Sequence, residues 1–280
     1  MDDLFGTART ITDLDLPRTT RQSPFSGVLG DCYAATVRDV PEDTRWLVDE
    51  LARTKGSLLD LCCGGGRLLT AAAAAGCDVV GVDNSPSMIE QATARVARDG
   101  TVDRTRVRLV TDDAMTIDLR TRFDAVALGG LTFTLFDPAT RARLLRRARM
   151  HLRPQGRLYL DYAPASSTEQ VTSGNLTLPV RHRSRRGFYL VEWSRHPAAG
   201  RTFVSMLCEL VATTGDTERY VGGLSYHLFS AAAVRAELRA AGFAVTADID
   251  KAMAPAPGTP GTRWVAAEVD PTAALDDGAR

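Results

Sequence analysis

The chain has 280 residues, 44% of them hydrophobic, which is enough to bury one sizeable core. Its 34 Lys and Arg residues balance 34 Asp and Glu residues, so neither nucleic acid nor an anionic membrane is an expected partner. The polar N-terminus predicts a soluble, cytoplasmic protein. The five cysteines show no CxxC spacing, which predicts reduced thiols, and the four scattered histidines predict no metal site.

Helices and strands alternate along the first half of the chain. Residues 1–30 are polar and predict an arm or a pocket cover, in which Pro17 and Pro24 break any helix. Two helical segments follow, at residues 31–39 and 41–54. Five buried strands are then predicted: GSLLDLC, CDVVGVD, VRLVTDDA, FDAVALGG and GRLYLDYA. A helix follows the first, the second and the fourth of them. This alternation predicts a parallel sheet covered on both faces.

The pattern changes after Tyr162. Four strand-like segments between Leu176 and Leu228 predict an antiparallel insertion, after which a helix and the strands FAVTADID and RWVAAEVD return to the sheet. A Pro/Gly loop at Pro255–Gly261 separates those two strands. The expected organisation is an arm at 1–30, an α/β core at 31–163, the insertion at 164–228, a return to the core at 229–270 and a disordered tail at 271–280.

Three consecutive glycines, Gly64–Gly66, interrupt the leucine-rich stretch LLDLCCGGGRLL. Glycine weakens a helix or strand interior by roughly 0.5–1 kcal/mol relative to alanine, so three together suggest a ligand that approaches the backbone closely. A tight turn without a ligand is the alternative.

The carboxyl ends of four predicted strands carry features suited to a ligand. Asp60 precedes the glycines, Asp83 is placed to bind a ribose diol, Asp112–Ala114 suits an adenine ring, and Leu128–Gly130 leaves room at the pocket floor. A simple strand-end cap is the alternative at each position. Their shared order along the chain favours one ligand site.

The pattern D-x-C-C-G-G-G resembles the D-x-G-C-G-T-G turn of class I S-adenosylmethionine-dependent methyltransferases, and GVDNSPSMIEQA is similar to their second-strand block. A nicotinamide-binding protein is a weaker interpretation, because its GxGxxG spacing would require a small residue where Leu69 stands. The resemblance covers roughly Tyr33 to Val269. It implies a Rossmann-like α/β fold with a seven-stranded methyltransferase sheet and an antiparallel β insertion after the fifth strand.

The same resemblance implies S-adenosylmethionine as cofactor. Cys62 departs from the family's first glycine and narrows the turn. The implied cofactor-binding residues are Asp60, Cys62, Gly64, Gly66, Asp83, Asn84, Met88, Asp112, Asp113, Ala114 and Leu128.

The insertion and the segment Tyr226–Phe229 resemble small-molecule N-methyltransferases, among them sugar-amine N,N-dimethyltransferases and glycine N-methyltransferase. In that subgroup the insertion walls the acceptor pocket. A histidine that sugar-amine enzymes carry after the fourth strand is absent from LTFTLFD, which leaves the amino-sugar substrate open.

Two residues are candidates to orient the acceptor amine or take its proton, Tyr33 and His227. The alternative for each is a buried aromatic ring whose polar tip is satisfied. Pocket walls are predicted from Phe133, Tyr162, Trp193 and Tyr226, with core packing as the alternative for each aromatic ring. The basic run Arg181–Arg186 fits a solvated hairpin or a contact for an acidic or peptide substrate.

The sequence therefore predicts methyl transfer from S-adenosylmethionine to an amine nitrogen of a small metabolite or peptide natural-product intermediate. An O-methyltransferase of secondary metabolism and a non-catalytic S-adenosylmethionine-binding module are the alternatives. A homodimer is left open.

Overall fold

A computed structural model describes residues 4–36, 42–54, 56–165, 171–249 and 262–272. The predicted loop Pro255–Gly261, residues 273–280 of the predicted tail and the start of the second predicted helix at Pro41 lie outside these ranges. The helices are α1 (Gly6–Asp13), α2 (Gly27–Thr36), α3 (Glu42–Thr54), α4 (Arg67–Ala74), α5 (Pro86–Arg98), α6 (Pro138–Met150) and α7 (Ala231–Ala240).

Twelve strands run through the described ranges. Those before the insertion are β1 (Thr19–Arg21), β2 (Ser57–Leu61), β3 (Asp78–Asp83), β4 (Val107–Thr111), β5 (Phe123–Leu128) and β6 (Leu152–Tyr162). The insertion and the return to the core add β7 (Thr172–His182), β8 (Arg185–His196), β9 (Arg201–Val211), β10 (Thr217–His227), β11 (Phe243–Ile249) and β12 (Arg263–Val269).

Seven strands form the central sheet, in the order β11-β12-β6-β5-β2-β3-β4. Strands β2 to β6 pair in parallel, and β12 pairs antiparallel with both β6 and β11. Neighbouring residues of β2 face opposite layers: Leu58 packs in the cluster that holds α3 and α4, whereas Leu59 packs in the cluster that holds α6 and α7. The predicted seven-stranded α/β sheet is confirmed.

The insertion is the antiparallel meander β7 to β10, which follows the fifth core strand as predicted. Its inner face packs on α2 around Leu29, Cys32 and Met206. This sheet stands over the carboxyl ends of the core strands, and the space between the two sheets forms a cleft.

The N-terminal arm is more structured than predicted. Helix α1 ends at Asp13, before Pro17, and the carboxylate of Glu192 accepts a hydrogen bond of 2.7 Å from the amide of Thr7 in its first turn. Strand β1 then pairs in parallel with β10. The expectation that prolines exclude a helix here was wrong, because both prolines lie beyond the helix and the inserted sheet supplies the apolar surface that α1 covers.

Candidate active site

A cavity of about 970 Å³ lies between the carboxyl ends of the core strands and the inner face of the inserted sheet. Small-molecule sites occupy roughly 300–1,000 Å³, so this cavity is at the upper end of that range. Its polar lining is concentrated on the core strands and its apolar lining on the inserted sheet. The volume and the division of the lining suit two ligands side by side.

The glycine turn forms one end of the cavity. Cys62 and Gly64 both adopt left-handed backbone conformations, with φ of 57° and 52°, and the amide of Cys63 donates 2.9 Å to the carbonyl of Val82 on β3. Apart from its two chain neighbours, no atom of the described residues lies within 4 Å of the position that a Cβ on Gly64 would take. The turn is therefore an open cradle that a ligand can fill, held against the sheet by its own backbone.

Asp83 ties this turn to the start of α5. Its two carboxylate oxygens each accept a 2.9 Å hydrogen bond, one from the amide of Gly64 and one from the amide of Ser85. Ser85 in turn caps α5, since its hydroxyl accepts from the amide of Met88 at 3.4 Å. Burial raises the pKa of Asp83, and the two amides oppose that shift. Asp83 thus shapes the cradle as well as lining it.

Asp60, at the end of β2, is 3% exposed and lines the same end. Burial raises its pKa to about 7, against the opposing charge of Arg67, and the nearby carboxylates Asp83 and Asp161 add to the rise. Three acidic side chains therefore share one cavity. This field favours a cationic ligand, because a positive charge offsets the cost of ionising a buried carboxyl group.

The inserted sheet and α2 provide the other end. Tyr189 and Trp193 project from β8, Tyr226 from β10 and Tyr33 from α2, and all four line the cavity. The ring of Tyr33 meets that of Phe25 edge-on at 5.3 Å. Burial raises the pKa of both Tyr189 and Tyr226, so both hydroxyls are protonated near neutral pH.

Nine residues predicted from the sequence line this cavity: Tyr33, Asp60, Cys62, Gly64, Asp83, Asn84, Met88, Trp193 and Tyr226. Eight others do not: Gly66, Asp112, Asp113, Ala114, Leu128, Phe133, Tyr162 and His227. Gly66 lies behind the turn, where a Cβ would come within 2.9 Å of Ala92 on α5. Its role in the structure is to allow close packing of that helix.

The predicted adenine residues lie just beyond Asp83. The amide of Asp112 donates a hydrogen bond of 3.1 Å to the carbonyl of Asp83, and this bond joins the two loops. The side chains of Asp112 and Asp113 accept hydrogen bonds from amides of their own loop, and Ala114 is buried in the core. Their contact with an adenine ring stays a prediction.

Strand alternation turns two predicted positions away from the cavity, Tyr162 and His227. Tyr162 is fully buried in the core, while its neighbour Asp161 lines the cavity. His227 follows Tyr226, and its Nε2 lies 3.3 Å from an Nη of Arg201. Burial and the charges of Arg201 and Arg141 lower the pKa of His227.

Two further predicted residues are buried in the core. Phe133 is fully buried against the ring of Phe229, and Leu128 is buried within β5.

Asp161 is a site residue that the sequence analysis missed. Its carboxylate is 2% exposed and accepts hydrogen bonds from the amides of Gly130 (3.1 Å) and Leu131 (2.8 Å). It therefore fixes the loop after β5, whose Leu131 has a φ of 61°. The signal was present, since Asp161 is an acid at the end of a predicted strand, as Asp60 and Asp83 are.

Residues 58–156 match the family described as "Methyltransferase domain". The chain is also 34% identical over 113 residues to carboxy-S-adenosyl-L-methionine synthase of Yersinia enterocolitica serotype O:8 / biotype 1B, a match that covers 40% of each protein. The chain thus spans about two fifths of the length of the curated relatives it matches.

Two solved structures share most of the architecture. The sugar N-methyltransferase KedS8 from Streptoalloteichus sp ATCC 53650 aligns with a TM-score of 0.67 and 22% identity, over 86% of this chain and 93% of that one. The glycopeptide N-methyltransferase MtfA in complex with sinefungin aligns with a TM-score of 0.62 and 21% identity, over 95% and 98%. The chain has the class I methyltransferase fold.

These matches confirm the predicted resemblance, and residues 58–156 match a methyltransferase domain, the class of enzyme that the sequence predicted. In the described ranges no helix is both long enough and apolar enough to span a bilayer. The same ranges contain no cluster of three or more His, Cys, Asp or Glu side chains that could hold a metal ion.

Proposed function

We propose that the chain transfers a methyl group from S-adenosylmethionine to the amine nitrogen of a small metabolite or peptide natural-product intermediate in the cytoplasm. The observation that supports this most directly is the continuity of one cavity from the cradle at Gly64 to the aromatic wall at Tyr33 and Tyr226. An acceptor on the inserted sheet can therefore reach a cofactor on the core strands without leaving the cavity.

The residues at the cradle fit the proposed cofactor. S-adenosylmethionine, when bound, would supply a methyl group on a cationic sulfur: the amine lone pair would bond to the methyl carbon as the carbon–sulfur bond breaks, S-adenosylhomocysteine would leave, and the nitrogen would lose one proton. The open space at Gly64 and the carboxylates of Asp60 and Asp83 would hold its methionine and ribose parts. Both carboxylates complement the positive charges of such a ligand.

The chain's contribution to chemistry is positioning and exclusion of water. Tyr33 and Tyr226 flank the acceptor end, and their rings with that of Tyr189 limit access of solvent. Asp161, fixed by two backbone amides, lines the cavity and favours an acceptor nitrogen over an anionic oxygen nucleophile. The same carboxylate can hold the proton that nitrogen loses, since a carboxylate oxygen accepts more than one hydrogen bond.

Incubation of the purified chain with methyl-labelled S-adenosylmethionine and matched panels of amines and alcohols tests the proposal. Label on nitrogen supports it, and label confined to oxygen would identify an O-methyltransferase. Binding of S-adenosylhomocysteine without transfer to either panel or to a cell extract would favour the non-catalytic module. Binding of NAD(P) in place of S-adenosylhomocysteine would favour the nicotinamide interpretation.

A further inference from the structure

The acceptor end of the cavity carries a pattern of charge, length and unpaired hydroxyls that narrows the acceptor. We infer that the acceptor is an amine on an extended, largely apolar body that lacks a carboxylate and carries neutral oxygen groups. This inference rests on the proposed function and specifies the acceptor that the same cavity takes.

Positive charge is confined to the cofactor end. Among the described residues that line the cavity, the cationic side chains are Arg67 and Arg95. Arg95 donates a hydrogen bond of 2.9 Å to the carbonyl of Gly65, and the charge of Arg67 opposes the rise in the pKa of Asp60. A carboxylate on the acceptor would therefore lie against an apolar wall near Asp161, where an unpaired buried charge is strongly unfavourable. Free amino acids are poor acceptors for such a site.

The apolar wall is long. Along β9 the side chains that line the cavity begin at Thr202, and Tyr189 pairs across the sheet with Cys208, six residues further on. At about 3.3 Å per residue the wall extends about 20 Å. Val204 and Met206 lie between those points, with Trp193 beside them on β8. An extended ligand buries far more of this surface than a compact one.

Width at the middle of the wall depends on Gly174. A Cβ at this position would fall 2.2 Å from an atom of the Trp193 indole, its cross-strand partner. The missing side chain lets the indole of Trp193 lie over β7. A larger residue at position 174 would move the indole and change the space beside the acceptor.

Two hydroxyl groups mark the ends of the wall. Tyr189 and Thr202 are each 1% exposed, both line the cavity, and neither hydroxyl has a hydrogen-bond partner in the described part of the chain. A buried polar group left unpaired costs about 1–3 kcal/mol. Both oxygens are themselves closed to water, so a neutral ligand oxygen, such as an ether, carbonyl or hydroxyl group, would pair with either one after a side-chain shift that opens it to the cavity.

Calorimetric titration with three matched probes tests the inference: O-benzyltyramine, O-benzyl-L-tyrosine and O-benzyl-L-tyrosine amide. They share an extended aromatic body and an ether oxygen, and only the second carries a carboxylate. We expect the amine and the amide to bind at least tenfold more tightly than the acid, both with and without S-adenosylhomocysteine. Equal or tighter binding of the acid, or no binding of the amine at millimolar concentration, would overturn the inference.

Variants assign the effect to the wall. Tyr189→Phe or Thr202→Val should weaken binding of O-benzyltyramine threefold or more, and Gly174→Val should weaken it further by displacing Trp193. Tyr220→Phe is the matched control, because the Tyr220 hydroxyl donates 2.9 Å to Glu218 and does not line the cavity. Unchanged binding in all three wall variants would refute the assignment. Loss of S-adenosylhomocysteine binding or of methyl transfer, with the probe preference intact, would instead contradict the proposed function.

Discussion

Asp60 provides the sharpest test of the cofactor end, because burial brings its titration to neutral pH. Its pKa is raised from 3.8 to about 7, a difference that corresponds to about 4 kcal/mol against the ionised carboxylate. About half of the molecules are therefore protonated at Asp60 near pH 7. A ligand that places an ammonium group beside this residue favours the ionised form of Asp60. Its binding therefore releases the proton from the Asp60 carboxyl group.

The size of the effect follows from this titration. If binding requires ionised Asp60, the competent fraction falls about tenfold between pH 8 and pH 6, or about 1.4 kcal/mol in binding free energy. The side chain of Asp60→Asn cannot titrate, so the variant should bind S-adenosylhomocysteine more weakly at pH 8 and with no dependence on pH across this range. The stability of the ligand-free protein depends on pH in the opposite direction. Because the folded-state pKa is raised, the contribution of Asp60 is fully present below about pH 3.8 and is lost as pH rises through about 7.

Isothermal calorimetry at pH 6, 7 and 8, in two buffers of different ionisation enthalpy, measures the affinity and the protons released together. Glu90→Gln is the control, since Glu90 is an exposed acid of α5 that does not line the cavity. An affinity of the unmodified protein that is flat from pH 6 to pH 8 would refute the reasoning. So would a pH dependence that survives in Asp60→Asn.

The remaining predictions concern the cradle and the two acceptor candidates. Gly64→Ala should abolish cofactor binding and destabilise the fold by about 1–2 kcal/mol. Gly76→Ala is the control: its φ is 95° and the space around it is equally open, so it should cause only the destabilisation. Equal cofactor affinities of the two variants in calorimetry would show that the cofactor does not occupy the cradle. Asp83→Ala should lower the free energy of unfolding by about 1–3 kcal/mol as well as weaken S-adenosylhomocysteine binding, because it frees the amide of Gly64, and denaturant titration would contradict this if the midpoint stayed constant. Tyr33→Phe should lower kcat with little change in cofactor affinity, and His227→Gln should leave kcat and KM unchanged; steady-state kinetics in which only the histidine variant fails would move the acceptor site to His227.

Local pattern was sufficient for most elements. The N-cap Ser85 with Pro86 begins α5, as predicted, and uninterrupted apolar runs such as the one ending at Asp60 became strands buried on both faces. The exception is the arm, where α1 depends on Glu192 at its first turn and on the apolar surface of a sheet about 200 residues away. A helix of eight residues gains little from its own hydrogen bonds, so its sequence alone gave weak evidence for it.

By itself the sequence determined the order of strands and helices, the glycine cradle and the acids that follow buried strands, because these depend on residues adjacent in the chain. Only the tertiary structure decided which member of each neighbouring pair reaches the cavity. Successive residues of a strand face opposite sides, so Asp161 rather than Tyr162, and Tyr226 rather than His227, line the cleft once the two sheets are packed together. The raised pKa of Asp60 is also a tertiary property, since it follows from burial and from carboxylates on other strands.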